Sequence, residues 1–209
     1  IIYISMDLKL EKSLWRRGYN AVIGIDEVGR GSLAGPMYLC AVILKKEQEN
    51  ILKRIKGVND SKQLSQKKRE AIFEQVTDFH LPYIVYKASP QEIDTHNIYR
   101  AAIRGCGSLI KKYSVQETNP FFVACDGGLF VPRLEKDNQE TFVKGDQRVF
   151  AIALASVIAK CLRDALMVRL AKKYPSYGWE QNKGYGTRRH IEAIYRLGKT
   201  PLHRLTFLG

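Results

Sequence analysis

The sequence predicts an α/β fold in which a mixed β-sheet is flanked by helices. Short β-branched and apolar runs lie early in the chain, and segments with helical spacing of apolar residues lie between and after them. Acidic residues come directly after two of the apolar runs. Early strands, intervening helices and carboxylates at strand ends together indicate a sheet covered by helices around one core.

The first half of the chain is predicted to contain three strands and one helix. Residues 21–25 are a β-branched run, and a second apolar run at 38–44 follows a glycine-rich turn. Apolar residues at 72, 73 and 76 give the segment 65–79 one helical face. The β-branched and aromatic composition of 82–87 predicts the third strand.

The second half is dominated by helical patterns. Residues 90–113 carry apolar side chains on compatible faces of one helix, and 121–125 form a buried strand that ends at an acidic residue and a Gly-Gly break. A short strand is predicted at 141–144. One long helix is predicted over 148–173, and its first half is apolar nearly all round, which places that half in the core. A surface helix follows at 187–197.

These elements predict one domain, residues 20–209, after an N-terminal extension at 1–19. A small helical C-terminal region, about 174–209, belongs to that domain. The four cysteines lie far apart and form no Cys-x-x-Cys pair, so we expect them to be reduced and buried. No apolar run is long enough to span a bilayer and no signal-peptide pattern opens the chain. We therefore expect a soluble, cytoplasmic protein without a membrane partner, and we expect a monomer.

The charge of the chain favours a polyanionic partner. It has 34 Lys and Arg residues against 21 Asp and Glu residues, a formal net charge of +13. From Asp146 to Gly209 there are 12 basic and 4 acidic residues, so +8 of the excess lies in under a third of the chain. Such a surface suits a phosphate backbone, and a basic surface that only keeps the protein soluble is the alternative.

Three carboxylates stand at the ends of two predicted strands. Asp26 and Glu27 end the first strand, and Asp126 ends a later one. Neighbouring side chains of a strand point to opposite faces, so the first two can share a site only if the strand ends or bulges there, which the glycine-rich turn after them favours. Each aspartate alone could instead cap a turn beside glycine. Together in a basic chain they predict a site for Mg²⁺ or Mn²⁺ that serves phosphoryl chemistry.

A fourth carboxylate is expected from further along the chain, and two residues are candidates. Asp146 stands at the start of the long helix, and Asp164 lies 18 positions later, roughly 27 Å along a continuous helix. The ions of a two-metal site are about 4 Å apart, so at most one of the two residues belongs to it. We favour Asp146, with helix capping as its alternative, because Asp164 follows Lys160 by four residues and has an ion-pair role.

Several segments, in chain order, resemble the bacterial ribonuclease HII family (type 2 ribonuclease H). The first is GIDEVGRGSLAGP at 24–36, which is similar to the family's opening motif. The others are NDSKQLS at 59–65, CDG at 125–127, KGD at 144–146, ASVIAK at 155–160, RD at 163–164, KGYGT at 183–187 and HR at 203–204. The similarity spans about residues 20 to 207 and departs from the family pattern at 147–150, where small and polar residues are usual.

The resemblance implies an RNase H-like fold and a metal-dependent endoribonuclease. Its substrates would be RNA–DNA hybrids, cut in the RNA strand, and duplex DNA that contains embedded ribonucleotides. Two ions of Mg²⁺ or Mn²⁺ would serve the reaction, which leaves 5′-phosphate and 3′-hydroxyl ends. The catalytic and metal-binding residues that the resemblance implies are Asp26, Glu27, Asp126 and Asp146.

The resemblance also implies which residues bind the substrate. Gly29, Arg30 and Gly31 would offer donors to the 2′-hydroxyl of the ribonucleotide and to its phosphates. Tyr185 would recognise the ribonucleotide and stack on the next sugar. Lys62 is expected to contact phosphate, and an exposed lysine without that role is the alternative.

Other functions fit the sequence less well. Residues 29–34 match a loose dinucleotide-binding fingerprint, but that fingerprint needs a helix next, and Pro36 with the strand at 38–44 opposes one. A non-catalytic nucleic-acid-binding protein remains the main alternative, although it has no need of four convergent carboxylates. A metal-free ribonuclease would use an acid and a base, commonly histidines, and no paired spacing is present in the set His80, His96, His190 and His203.

Overall fold

The computed structural model describes residues 6–115, 117 and 119–209, which contain a five-stranded mixed sheet. The strands are β1 (Ala21–Val28), β2 (Met37–Lys45), β3 (Tyr83–Ala88), β4 (Phe121–Asp126) and β5 (Gln139–Phe142). Their order in the sheet is β3-β2-β1-β4-β5. Strand β1 is antiparallel to β2 and parallel to β4. The predicted α/β class with a mixed sheet is confirmed.

Helices cover both faces of this sheet. They are α1 (Lys9–Arg16), α2 (Glu49–Leu52), α3 (Gln66–Asp78), α4 (Pro90–His96), α5 (Ile98–Ser114), α6 (Phe150–Ala171), α7 (Trp179–Asn182) and α8 (Arg188–Leu197). Helix α6 packs against β1 and β2 on one face, whereas α5 packs against β3 and β2 on the other. Leu14 of α1 and Ile72 of α3 share an apolar cluster with α6, so these helices lie in the same layer.

The alternation of side chains along β1 decides which residues reach each layer. Val22 belongs to the cluster under α6, and Ile23 and Ile25 belong to the cluster under α5. Gly24 faces α6, where an added Cβ would lie 2.2 Å from the backbone carbonyl carbon of Ala151. This glycine therefore lets the first turn of α6 lie closer to β1 than any side chain would allow.

Two predicted elements differ from the structure. The helix predicted over 90–113 is divided into α4 and α5 at Asn97, which has a φ of 63° and caps α5 by accepting a hydrogen bond from the Arg100 N–H. Asparagine tolerates a positive φ better than most residues and is a strong N-cap. The strand predicted at 141–144 lies two residues earlier, because Lys144 has a φ of 54° and ends the extended backbone.

Part of the predicted N-terminal extension, residues 1–19, packs into the core. Leu14 and Trp15 of α1 are buried in the cluster under α6. Glu11 is also buried, and its Oε1 accepts a 2.9 Å hydrogen bond from the backbone N–H of Ala151. Burial raises the pKa of Glu11 to about 7. Helix α1 thus anchors the first turn of α6 against the sheet.

The small helical C-terminal region is confirmed, and it lies beside the turn that follows β1. Trp179 of α7 and Ala193 of α8 share an apolar cluster with Ala34 and the end of α6. An isolated antiparallel bridge joins Ala34 to His203. All four cysteines are free and three of them are buried. Within the part of the chain that the structure describes, no helix is long and apolar enough to cross a bilayer.

Candidate active site

The carboxyl ends of β1 and β4 place two aspartates side by side. The parallel register puts Asp26 and Asp126 at the position that follows the last paired residues of the two strands. Both point into the α6 layer, because Asp26 accepts a hydrogen bond from the hydroxyl of Ser156 on α6. Asp126 Oδ1 accepts a 2.6 Å hydrogen bond from the Gly145 N–H, just before α6. Two of the four predicted carboxylates therefore share one edge and one face of the sheet.

Glu27 lies on the opposite face of β1 from Asp26. The expectation that the strand ends or bulges at this pair is wrong, since β1 continues to Val28, which is paired with Tyr38 of β2. The unbroken antiparallel pairing preserves the alternation of the pleat. Glu27 Oε1 accepts a 3.3 Å hydrogen bond from Arg30 Nη1. The carboxylate of Glu27 thus reaches the sheet edge from the α5 side.

Asp146 reaches the α6 layer from a 3-10 turn, Gly145–Gln147, that precedes the helix. The N-cap of α6 is Val149, without a side-chain cap, so the capping alternative for Asp146 is excluded. An added Cβ on Gly145 would lie 3.1 Å from Asp126 Oδ1. Because residue 145 is a glycine, this turn can lie close to β4, and the turn brings Asp146 close to β4 as well.

A lysine from the loop before α3 contacts Asp146. Lys62 Nζ lies 3.4 Å from Asp146 Oδ2, and the lysine side chain is 80% exposed whereas the aspartate side chain is 3% exposed. Asp60 holds this loop by accepting hydrogen bonds from the Lys62 N–H and from Gln147 Nε2. Gln147 is one of the residues that depart from the family pattern, and it ties the lysine loop to the turn that carries Asp146.

Burial, together with repulsion between neighbouring carboxylates, raises the pKa values of Asp26, Glu27 and Asp146. The pKa of Asp26 lies well above its usual value because of burial and then because of the charges of Glu27 and Asp126. Burial also raises the pKa values of Glu27 and Asp146, against the opposing charge of a nearby cation in each case. A group of carboxylates that destabilise one another in the ionised form favours a bound cation.

The donor chemistry of the four carboxylates fits a hard divalent cation, since all their donors are oxygen atoms. Among the described residues, no three His, Cys, Asp or Glu side chains converge on one metal position. Oxygens of Asp26 and Asp126 accept short hydrogen bonds from the N–H groups of Glu27 and Gly145. A divalent ion at this sheet edge would compete with these N–H groups for the same carboxylate oxygens.

Asp164 does not join this group. Its Oδ1 accepts a 2.9 Å hydrogen bond from Lys160 Nζ, so the predicted ion pair is confirmed. Helix α6 is continuous from Phe150 to Ala171, with Asp164 well inside it and Asp146 before its first residue. The helical rise applies only from Phe150 onward, and it places Asp164 about 21 Å along α6 from that first residue.

The predicted substrate-binding turn and tyrosine lie near each other. Residues 29–31 begin the turn after β1, and Arg30 and Gly31 are exposed. Further along the turn, the Ala34 N–H donates a 3.1 Å hydrogen bond to the carbonyl of Gly184, the residue before Tyr185. The half-buried Tyr185 ring lies 5.4 Å from the guanidinium carbon of Arg163. One face of the molecule thus presents both the turn and the tyrosine.

Two histidines are paired although their spacing did not indicate it. His190 Nε2 and His203 Nε2 are 3.2 Å apart, and the other ring nitrogens contact the Tyr185 carbonyl and Thr200. Burial lowers the pKa of both, that of His203 to about 4. Because every ring nitrogen has a protein partner, the pair stabilises the C-terminal region and offers no free acid or base.

Other residues of the site were missed from the sequence. Ser61 Oγ lies 2.8 Å from Ser156 Oγ, and Ser156 contacts Asp26. Arg163 and Arg204 are fully buried beneath the turn after β1. Both arginines belong to segments that resemble the family, RD at 163–164 and HR at 203–204, and this resemblance was the only indication of their importance. A sequence alone does not show which of its many basic side chains are buried.

The chain is similar in sequence to known proteins over nearly its whole length. The family model described as Ribonuclease HII matches residues 23–208. A ribonuclease HII of Endomicrobium trichonymphae is 43% identical over 197 residues, which are 94% of this chain and 90% of that protein.

Solved structures also share the architecture. The crystal structure of ribonuclease H2 from Pyrococcus horikoshii OT3 is 26% identical, with a TM-score of 0.70 over 89% of this chain and 93% of that chain. Bst-RNase HIII in complex with Mn²⁺ is 19% identical, with a TM-score of 0.70 over 90% of this chain and 67% of that chain. This second likeness concerns the fold alone.

Proposed function

Because this chain belongs to the ribonuclease HII family, endoribonucleases that cut the RNA strand of RNA–DNA hybrids, we propose that its catalytic residues are Asp26, Glu27, Asp126 and Asp146. Dependence on a divalent metal follows from the family, and the four carboxylates would hold two ions of Mg²⁺ or Mn²⁺. The observation that carries the proposal is the position of Asp26 beside Asp126, with the turn of Asp146 bonded to Asp126.

The bound ions would supply an activated water and would stabilise the leaving 3′ oxygen, giving 5′-phosphate and 3′-hydroxyl ends. The chain itself holds the carboxylates on rigid supports, the ends of two hydrogen-bonded strands and a turn anchored to α6. Lys62 offsets part of the negative charge at Asp146 and is exposed toward solvent, where a phosphate group of the substrate would meet it.

Substrate recognition is proposed for the exposed turn and Tyr185. Gly29, Arg30 and Gly31 would offer donors to the 2′-hydroxyl and adjacent phosphates, both in hybrids and at ribonucleotides embedded in duplex DNA. Tyr185 would stack on the next sugar, from its position beside the guanidinium of Arg163. Because the 2′-hydroxyl is the group that distinguishes RNA from DNA at one site, these residues would carry the selectivity for ribose.

The alternative of a non-catalytic nucleic-acid-binding protein is less well supported. A basic surface alone would serve such a protein, whereas several buried carboxylates near one another cost stability. The free cysteines support a reducing compartment, so we place the enzyme in the cytoplasm. We also propose that the protein is a monomer, and a mass measurement in solution tests this.

The proposal that Asp146 is the fourth catalytic carboxylate is tested by comparing its asparagine variant with that of Asp164. We expect Asp146→Asn to lower kcat/KM for a DNA duplex with one embedded ribonucleotide by about 10²-fold or more, because a metal ligand is lost. Asp164→Asn breaks only an ion pair at the α6 surface and should retain activity within about threefold.

The same assay, repeated with Mg²⁺, Mn²⁺ or EDTA, tests the cofactor. Cleavage that persists in EDTA would contradict the metal-dependent mechanism. Full activity in Asp146→Asn together with its loss in Asp164→Asn would show that the other aspartate is the ligand. Titration with each metal then identifies the ion that supports the higher rate.

Tyr185→Ala is expected to reduce the preference for ribose while leaving cleavage measurable. The readout is the ratio of Kd values for two duplexes that differ only in one ribonucleotide, and we expect this ratio to fall about tenfold because a stacked aromatic ring is lost. The matched control is Tyr195→Ala, which removes a tyrosine that is 88% exposed on α8. An unchanged ratio in Tyr185→Ala would remove its recognition role.

A further inference from the structure

Two arginines are buried in the C-terminal half of the described chain, and the carboxylates whose charges reach them, Asp164 for Arg163 and Asp94 for Arg204, lie beyond ion-pair distance. Arg163 and Arg204 each have a relative exposure of 0%, and neither forms an ion pair within the described ranges of the chain. Burial lowers the pKa of both guanidinium groups, that of Arg204 to about 9. Burying a charged group without a direct ion pair is costly, so the contacts of these side chains indicate why they are retained.

Arg204 holds the turn after β1 at two points. Its Nη1 donates a 2.8 Å hydrogen bond to the carbonyl of Arg30, and its Nε and Nη2 donate to the carbonyl of Gly35 at 3.1 and 3.0 Å. In a trans peptide the C=O and the following N–H point in opposite directions. The Arg30 carbonyl points inward to Arg204, so the N–H of Gly31 points outward.

Arg163 fixes the orientation of the Gly29–Arg30 peptide group through the hydroxyl of Ser32. Its Nη2 donates a 2.8 Å hydrogen bond to Ser32 Oγ, and Ser32 Oγ donates a 2.9 Å hydrogen bond to the carbonyl of Gly29. The Gly29 carbonyl therefore points inward, and the N–H of Arg30 points outward. An added Cβ on Gly29 would lie 2.1 Å from Arg163 Nε, which shows how closely the guanidinium supports this turn.

The two outward N–H groups are adjacent and available. Neither the Arg30 N–H nor the Gly31 N–H donates a hydrogen bond to any group of the described chain, and both residues are exposed. Successive free N–H groups form a concave site for an anionic or hydroxyl acceptor. Arg163 Nη1 also donates a 2.9 Å hydrogen bond to the carbonyl of Lys183, two residues before Tyr185.

We propose that Arg204, and Arg163 acting through Ser32, are positioning residues for ribonucleotide recognition. They hold the carbonyls of Arg30 and Gly29 inward, so that two adjacent backbone N–H groups face the 2′-hydroxyl and phosphate of the substrate. Their positive charge adds attraction for the phosphate at the same turn. This inference rests on the proposed role of residues 29–31 in binding the ribonucleotide.

The test compares binding of two fluorescent DNA duplexes that are identical except for one embedded ribonucleotide, in EDTA so that no cleavage occurs. For Arg204→Met we expect the ratio of the two Kd values to fall about tenfold, because the Gly31 N–H loses its fixed direction. For Ser32→Ala, which keeps both arginines, we expect a fall of about threefold, because only the link to the Gly29 carbonyl is lost.

A matched control separates positioning from general loss of stability. Leu109→Ala creates a cavity in the α5 layer, on the other face of the sheet, and should lower the thermal midpoint without changing the Kd ratio. Arg204→Lys keeps the charge but has one nitrogen atom in place of the three guanidinium nitrogens that contact the two carbonyls. Its Kd ratio should therefore lie between those of Arg204→Met and the parent protein.

The outcomes distinguish this inference from the function on which it rests. A parent protein that binds both duplexes equally would overturn the recognition role of residues 29–31 and the inference with it. A parent protein that prefers the ribonucleotide, with the same preference in folded Arg204→Met and in Ser32→Ala, would overturn the positioning role alone. If Arg204→Met does not fold, the ratio in Ser32→Ala decides.

Discussion

Asp26→Asn is expected to lower cleavage of an RNA–DNA hybrid by about 10³-fold or more while raising the thermal stability of the protein. Asparagine has nearly the same shape as aspartate but carries no negative charge for a divalent ion. The proposed site would lose the β1 carboxylate that lies beside Asp126 of β4 and accepts a hydrogen bond from Ser156 of α6. No other described residue occupies that position.

The rise in stability has an electrostatic origin. Burial and the charges of Glu27 and Asp126 raise the pKa of Asp26, so the ionised carboxylate is unfavourable in the folded protein. Without added metal at pH 7, the variant should therefore melt at a higher temperature than the parent. Opposite changes in activity and stability distinguish loss of a functional carboxylate from damage to the fold.

Steady-state cleavage with Mn²⁺ or Mg²⁺ and thermal unfolding in EDTA measure the two effects. Asp78→Asn, which neutralises an exposed aspartate at the end of α3, is the control and should retain activity. An Asp26→Asn variant with near-normal cleavage would refute the proposed carboxylate set, whatever its stability.

Gly24→Ala is expected to destabilise the folded protein by about 3 kcal/mol or more. The added Cβ would lie 2.2 Å and 2.4 Å from the carbonyl carbon and oxygen of Ala151, and 2.5 Å from the Ile152 nitrogen. All three are backbone atoms, so no side-chain rotation relieves the overlap. Helix α6 must move away from β1, and Asp146 must move with it.

Denaturant unfolding measures the loss, and cleavage of the hybrid by the folded fraction should also decrease. Gly107→Ala is the matched control, because its Cβ would have ordinary contacts, the nearest at 3.6 Å from Pro132, inside helix α5. Replacing a helical glycine by alanine should stabilise the protein by up to about 1 kcal/mol. Equal unfolding free energies for the parent and Gly24→Ala would show that α6 does not depend on this close approach.

Local patterns predicted most of the secondary structure because they act over a few residues. The continuous β-branched and apolar runs of β1 and β2 and the helical spacing in α3, α6 and α8 were sufficient. The break between α4 and α5 was not predicted, since its cause is the conformation of the single residue Asn97. The end of β5 was misplaced for a similar reason, the left-handed backbone of Lys144.

The candidate site was predictable only in part. The positions of Asp26 and Asp126 follow from strand ends, and the exclusion of Asp164 follows from the length of a helix, both of which are local geometry. The strand end or bulge expected at Asp26 and Glu27 is absent, because pairing with β2 keeps β1 regular up to Val28, next to the glycine-rich turn.

The sequence by itself determined the α/β class, the carboxylates at strand ends and, through its motifs, the family. Only the tertiary structure decided which charged side chains are buried, that the turn before α6 meets β4, and that Arg204 holds a carbonyl 174 positions earlier in the chain. Periodicity and turn chemistry are local properties of the chain. The direction of a peptide N–H in the turn after β1 depends instead on a guanidinium that folding brings from the other end.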